Sequence, residues 1–282
     1  MTRIDHIIIA VEDLEEATAE YAALLGRQPS WRGEHPAYGT ANSLFQLANT
    51  YIELLAAHGE GFGADLVESI RSTGSNTLAG LVFGVDDSAA FLNHAREHGL
   101  AAQDPQPGHG IDTGTGRRRD WLNMFWDPAA ARGIFTFAIE HAGDDQLPAA
   151  ETIDAGPVDA VDHVVVQTQS AAAAKRFYGE QLGIRLALEQ HVPEWGGTQL
   201  FFRTSHMSIE VIVSEKAAET DRLWGIALRC SDLNATYHRL LAAGVSVTES
   251  KEGRKPGTRV CTVKSGALGI PTLLVQQPAK PY

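Results

Sequence analysis

The 282-residue chain is poor in cysteine, poor in basic residues, and free of long apolar runs. Its two cysteines, Cys230 and Cys261, have no CxxC spacing, which argues against a zinc knuckle or a thioredoxin-type pair and for two reduced, buried thiols. Lys and Arg number 23 against 35 Asp and Glu, a net charge of −12. That balance repels phosphate backbones and anionic lipid, so neither nucleic acid nor a membrane surface is expected as a partner. No stretch reaches the roughly 18 consecutive apolar residues of a membrane span. The start, Met-Thr-Arg-Ile-Asp-His, runs into an apolar strand without signal-peptide architecture, so a cytoplasmic location is expected. No GxxxxGK[ST] loop and no GxSxG elbow occur, and Gly108-His109-Gly110 lacks the strand-turn-helix context of a nucleotide loop.

What the chain has is an ordinary globular composition, 44% hydrophobic and 21% charged, and an internal repeat. Four segments open with an apolar strand, a polar break and an amphipathic helix that ends near glycine. The strands are Ile4–Val11, Ala79–Val85, Val161–Thr168 and Trp224–Cys230, and the helices end at Gly26, Gly99, Gly183 and Gly244. Asp13, Asp87, Ser170 and Asp232 stand where a side-chain oxygen can cap the helix start. Three further strands follow each helix: Ile184–Glu189, Thr198–Thr204 and Met207–Val213 in the third module, Val245–Glu249, Thr258–Val263 and Thr272–Gln276 in the fourth. The unit is βαβββ, with an extra helix expected over Ala64–Ser72. In the second module, Gln106–Gly116 is rich in Gly and Pro and reads as a loop. The acidic, aperiodic segment 142–157 is the expected linker between residues 1–141 and 158–282.

One spacing carries the chemistry. Asp5-His6 opens the first module and Asp162-His163 the third. Glu53 lies in the last strand of the first module and Glu210 in the last strand of the third, each 47 positions after its histidine. Ile52 and Leu54 flank Glu53, as Ile209 and Val211 flank Glu210, so each carboxylate sits between apolar neighbours in a strand. Burying such a group is costly unless it is paired, hydrogen-bonded or metal-bound, and imidazole plus carboxylate suits a divalent first-row ion. A purely structural hydrogen bond is the alternative.

Four βαβββ modules with these residues resemble the vicinal oxygen chelate superfamily, which includes glyoxalase I, methylmalonyl-CoA epimerase, extradiol dioxygenases and bleomycin-binding proteins. The resemblance spans nearly the whole chain. Residues Gly33-Glu34-His35-Pro36-Ala37-Tyr38-Gly39-Thr40-Ala41-Asn42 and Tyr51-Ile52-Glu53-Leu54 make the first half similar to the subset called glyoxalase-like. The resemblance implies an α+β fold: four modules arranged as two glyoxalase-like domains with cupped mixed sheets. It also implies a divalent metal (Zn, Ni, Mn or Fe) held by His6, Glu53, His163 and Glu210. The activity implied is that of a lyase or isomerase on a small-molecule substrate, with Glu53 or Glu210 as catalytic base beside a metal-bound carbonyl. An extradiol-type dioxygenase and a metal-free binding protein are the alternatives, and a homodimer is one way to complete the site.

The chain departs from that pattern. Gly80 and Gly225 stand at the first-strand His position of modules two and four, and Phe137 and Leu273 at the last-strand Glu position. If adjacent modules pair, each half offers one His and one Glu; if modules one and three face each other, four ligands meet. The iron ligands of ring-cleaving dioxygenases would fall on His163 and on the fourth module's Gly225 and Leu273, so only His163 matches. A shifted triad of His163, His206 and Glu210 needs His206 in the strand rather than in the turn after Thr204.

Asn42 and Gln199 each precede their glutamate by 11 positions and are candidates to orient it or to bind substrate. His35, Trp121 and His191 are further substrate-binding candidates, with His191 and Trp195 in a loop over the mouth. Arg117, Arg118 and Arg119 form the one dense arginine cluster and could receive an anion. Trp31, Phe125, Trp126, Trp195 and Trp224 could line a cup for a planar substrate.

Overall fold

A computed structural model describes residues 2–72, 78–143, 147–194 and 197–278. In chain order the elements are β1 (Arg3–Val11), α1 (Leu14–Leu25), β2 (Trp31–His35), β3 (Thr40–Gln46), β4 (Tyr51–Ala57), α2 (Phe62–Ser72), β5 (Leu78–Gly84), α3 (Ser88–Glu97), β6 (Gln106–Asp112), β7 (Arg118–Met124) and β8 (Phe135–His141). The second series is β9 (Val158–Thr168), α4 (Ala171–Ala174), β10 (Arg185–Val192), β11 (Gly197–Arg203), β12 (Ser208–Val213), β13 (Arg222–Cys230), α5 (Leu233–Ala242), β14 (Lys251–Glu252), β15 (Arg259–Val263) and β16 (Thr272–Gln276). The first eight strands close in the order β1-β4-β3-β2-β6-β7-β8-β5, and the last eight form an open sheet, β10-β11-β12-β9-β13-β16-β15-β14. Both are mixed: β5 runs parallel to β8 and β13 to β16, while the hairpins are antiparallel. The α+β class and the βαβββ modules are as the sequence pattern requires.

The caps explain the helix starts. Asp13 accepts from Glu15 N and Glu16 N, Asp87 from Ala90 N, Ser170 from Ala173 N and Asp232 from Ala235 N. Three segments differ from expectation. Gln106–Asp112 is strand β6, because its Gly and Pro residues sit in an antiparallel pair with β7; Gly108 faces Trp121, and a Cβ there would lie 2.4 Å from the indole Nε1. The expected strand Val245–Glu249 shrinks to a single Val247–Val263 bridge, with only Lys251–Glu252 paired beyond it. The third-module helix leaves α geometry after Ala174 and continues as a π-helix over Lys175–Gln181.

By packing, the chain groups into two compact units, residues 1–8, 78–146 and 164–224 in one, and residues 9–77, 147–163 and 225–282 in the other. In the first, an aromatic chain joins the second and third modules: Phe91 to Trp126 at 6.3 Å, Trp126 to Phe177 at 6.2 Å, Phe177 to Tyr178 at 5.0 Å and Tyr178 to Phe202 at 5.4 Å. Trp126 donates to Thr136 Oγ1 at 2.9 Å, which satisfies its one polar atom. Arg132 donates to Asp221 at 3.0 Å in the same unit.

In the second unit, Arg239 donates to the carbonyls of Ala23 and Leu24 at the end of α1, where a cation also complements the helix dipole. Glu20 accepts from Leu268 N at 2.6 Å, and Arg27 donates to Val158 O at 2.6 Å. Cys230 and Cys261 belong here, both buried, and burial pushes their thiols up to about 12 and about 11. Thiol reagents at pH 8 are therefore expected to label neither cysteine in the native protein and both after denaturation. Stoichiometric labelling of the folded chain would contradict this packing.

Among the described residues no helix is long and apolar enough to cross a membrane.

Candidate functional site

Glu53 is only 6% exposed on β4, with Ile52 and Leu54 on either side fully buried. What compensates it is Asn42 on β3. In the β3–β4 pairing Asn42 faces Leu55 and Leu44 faces Glu53, so Asn42 and Glu53 are diagonal neighbours on one face. Asn42 Nδ2 donates to Glu53 Oε1 at 2.7 Å. The same amide nitrogen lies 3.3 Å from His35 Nε2, and His35 Nδ1 lies 3.0 Å from Thr40 Oγ1. Because an amide nitrogen only donates, His35 Nε2 accepts and the ring is neutral with its proton on Nδ1. The β2–β3 turn that sets His35 against Thr40 depends on Gly39, whose φ is +66° and whose Cβ would lie 2.4 Å from Glu60 O. The remaining atom of the amide, Asn42 Oδ1, is buried and has no hydrogen-bond partner among the described residues.

The third module repeats the arrangement. Glu210, 8% exposed on β12, accepts from Gln199 Nε2 on β11. Gln199 faces Ile212 and Phe201 faces Glu210, which is the same diagonal. Here Gln190 on β10 takes the third place: its Nε2 donates to Gln199 Oε1 at 2.8 Å.

The histidines are held by their neighbours in sequence. His6, 4% exposed, donates from Nδ1 to Asp5 Oδ1 at 2.8 Å, and His141 donates from Nε2 to Asp5 Oδ2 at 3.0 Å. The His6 ring meets Phe137 edge-on at 6.4 Å. Burial raises the Asp5 carboxyl, but the hydrogen bonds and charges of His141 and His6 outweigh it and hold the group well below the usual carboxylate range. In the third module His163 Nδ1 donates to Asp162 Oδ1 at 2.9 Å, and Gln277 Nε2 donates to Asp162 Oδ2 at 2.8 Å. Asp162 is lowered too, burial again opposing and His163 and Gln277 prevailing.

The structure thus joins Glu53 with Asn42 and His35, and Glu210 with Gln199. It adds Asp5, His141, Asp162, Gln190 and Gln277, which the spacing argument passed over. The doubled Asp-His dipeptide was the visible signal for two of them. His141 and Gln277 have none, since only strand pairing brings a distant last strand to the start of its half.

His191 is exposed on β10, and Trp195 lies outside the described residues. Trp121 is partly buried on β7, opposite His141 and Gly108. The three arginines form no common patch: strand alternation turns Arg119 inward at 8% exposure, while Arg118 pairs with Asp120 at 2.7 Å. Trp31 packs into a core cluster with Leu44 and Tyr51, and Trp126 into the aromatic chain, so neither lines a cup. His206 is exposed in the bend after Thr204, outside β12.

As metal donors, His6 and His163 are imidazoles and Glu53 and Glu210 carboxylates, the types a divalent first-row ion takes. An aspartate on Nδ1 of each histidine is the second-sphere partner that metal-binding imidazoles use. Among the described residues no three His, Cys, Asp or Glu side chains are grouped to hold an ion together. The donor types suit a divalent ion, but the described residues do not assemble a set that would hold one.

The profile described as "Glyoxalase-like domain" matches residues 4–158, and the one described as "Glyoxalase/Bleomycin resistance protein/Dioxygenase superfamily" matches residues 162–262. An ethylmalonyl-CoA/methylmalonyl-CoA epimerase from Cereibacter sphaeroides is 31% identical over 112 residues, covering 38% of this chain and 82% of that protein. Among solved structures, a triple mutant of 4-hydroxymandelate synthase from Streptomyces coelicolor superposes with a TM-score of 0.70 at 15% identity, over 100% of this chain and 94% of that one. A hypothetical protein from Staphylococcus aureus gives 0.68 at 12% identity, over 99% and 100%. At these identities the structural matches speak for the fold alone.

Proposed function

Because the chain belongs to the glyoxalase-like domain family, we propose that it moves a proton on a carbon next to a carbonyl of a small acyl metabolite, as an epimerase or isomerase. The observation that carries this reading is Glu53: a carboxylate 6% exposed, held by the Asn42 amide, in a chain similar to an epimerase. A divalent ion would polarise the substrate carbonyl when bound, and His6, its Nδ1 held by Asp5, is a donor of the type that suits one.

The chain's own residues do the rest. The C–H bond beside the carbonyl breaks, its proton passes to the Glu53 carboxylate, and its electron pair becomes an enolate. Return of the proton from Glu53 restores the starting configuration, and delivery of a proton to the opposite face of the planar enolate gives the epimer. Asn42 fixes the Glu53 rotamer, and the buried neighbours Ile52 and Leu54 limit the access of water to it. Asp5 fixes the His6 ring through Nδ1, so Nε2 is the nitrogen presented away from that carboxylate.

A ring-cleaving dioxygenase calls for two imidazoles and a carboxylate together; His206, the residue that would complete such a set, is exposed in a bend. The proton-transfer reading is therefore the one we carry.

Methylmalonyl-CoA in deuterated buffer tests it. The expected result is enzyme-dependent uptake of one deuteron at the α-carbon, read as a one-unit mass gain, with loss of exchange on chelation. Tight binding without exchange would instead make the protein a binding module. Neither binding nor exchange across methylmalonyl-CoA and related 2-substituted acyl thioesters would overturn the assignment.

A further inference from the structure

The two carboxylate networks share a backbone plan and differ at their ends. In the first half the amide acceptor Asn42 Oδ1 is buried, 2% residue exposure, with no hydrogen-bond partner among the described residues. In the second half the equivalent acceptor, Gln199 Oε1, is filled by Gln190 at 2.8 Å. The outer member of the network is His35 in one and Gln190 in the other. The aspartate networks differ in the same sense, with His141 on Asp5 but Gln277 on Asp162.

We propose that ligand binding is confined to the Glu53–Asn42–His35 network, where Asn42 Oδ1 accepts an O–H or N–H of the ligand, while Glu210–Gln199–Gln190 is its capped, ligand-free counterpart.

The argument is one of hydrogen-bond completion. Buried carbonyl oxygens in native proteins are nearly always paired, and an orphan marks a place for water or ligand. Asn42 cannot satisfy Oδ1 by turning its amide over. That would set a carbonyl against the Glu53 carboxylate and remove the Asn42 donor to it. Nor can neutral His35 supply a donor from Nε2, which already accepts from Asn42. The acceptor is therefore held open by its own network, within reach of whatever the Glu53 carboxylate acts upon. In the second network a single glutamine closes the same position, and both ends of Gln199 are engaged before any ligand arrives. The ligand class that fits the open acceptor is an acyl compound bearing a hydroxyl or amide N–H, as an acyl-CoA does along its pantetheine arm.

The proposal relies on the proton-transfer reading only for its probe. Calorimetric titration of the full chain with methylmalonyl-CoA is expected to give one equivalent. Asn42→Ala is expected to weaken binding at least tenfold more than Gln199→Ala, about the worth of a lost buried hydrogen bond. Two equivalents, or an equal or larger loss for Gln199→Ala, would overturn it.

A ligand-free measurement covers the case in which this thioester does not bind or the variants misfold. Water-to-side-chain cross-relaxation in unliganded wild-type protein is expected at the Asn42 amide and not at Gln199. Cross-peaks at both amides, at neither, or at Gln199 alone would sink the proposal. Binding with one equivalent but no deuterium exchange would refute the epimerase reading and leave this one standing.

Discussion

Glu53→Gln is expected to slow α-proton exchange by about 10²–10⁴-fold, the usual worth of a positioned general base. Substrate affinity should move far less. The two effects separate because of how Glu53 is held. Asn42 Nδ2 donates to Oε1 at 2.7 Å, and a glutamine carbonyl accepts the same bond. The variant therefore keeps the contact with Asn42, the rotamer and the volume, and loses the ability to take a proton. Removing the other partner gives a different result. Asn42→Ala leaves a carboxylate buried between Ile52 and Leu54 without that donor, at a cost of roughly 1.5–3 kcal/mol for a hydrogen bond to a charged group. Single-turnover exchange alongside thermal unfolding reads both. A Glu53→Gln protein that exchanges at the wild-type rate would remove Glu53 from the chemistry, whatever else the family does.

Much of this was open to a reader of the sequence because it rests on local rules. The caps at Asp13, Asp87, Ser170 and Asp232 lie within three residues of the N–H groups they satisfy. Glu53 and Asn42 are joined by a hairpin, so their separation is a property of one stretch of chain. Duplication of that stretch made the pattern stand out. What escaped depended on longer range or on exceptions to propensity. β6 is a strand despite its glycines, since Gly108 is required where the Trp121 indole crosses it. The arginine cluster looked like one patch until strand pairing sent Arg118 and Arg119 to opposite faces. His141 reaches Asp5 across 136 positions, and nothing in the sequence near either residue announces the meeting. The same separation in kind hides Gln277 from Asp162.

That hidden contact leads to the second large effect. Asp5→Ala is expected to destabilise the protein by about 3–5 kcal/mol, as when one partner leaves a buried ion pair. By the usual scaling its Tm should fall by roughly 5–8 °C. The Asp5 side chain is 8% exposed and accepts from two rings at once, His6 at 2.8 Å and His141 at 3.0 Å. Without it, two ring N–H groups lose their acceptor in a place water reaches poorly. Asp162→Ala makes the internal control, because Asp162 is 23% exposed and its second donor is the neutral amide of Gln277. Its loss should cost less than half as much. The pH dependence has a definite sign. A carboxyl held below its unfolded value near pKa 3.9 contributes stability that is complete above that pH. The contribution fades as pH falls toward the lowered native value, because the unfolded chain takes up the proton first. The gap between wild type and Asp5→Ala should therefore be full at pH 7 and narrower at pH 3 in denaturant titrations. A gap of equal size at both values, or one no larger than that of Asp162→Ala, would show that the Asp5 carboxylate does not hold His6 and His141 as the geometry requires.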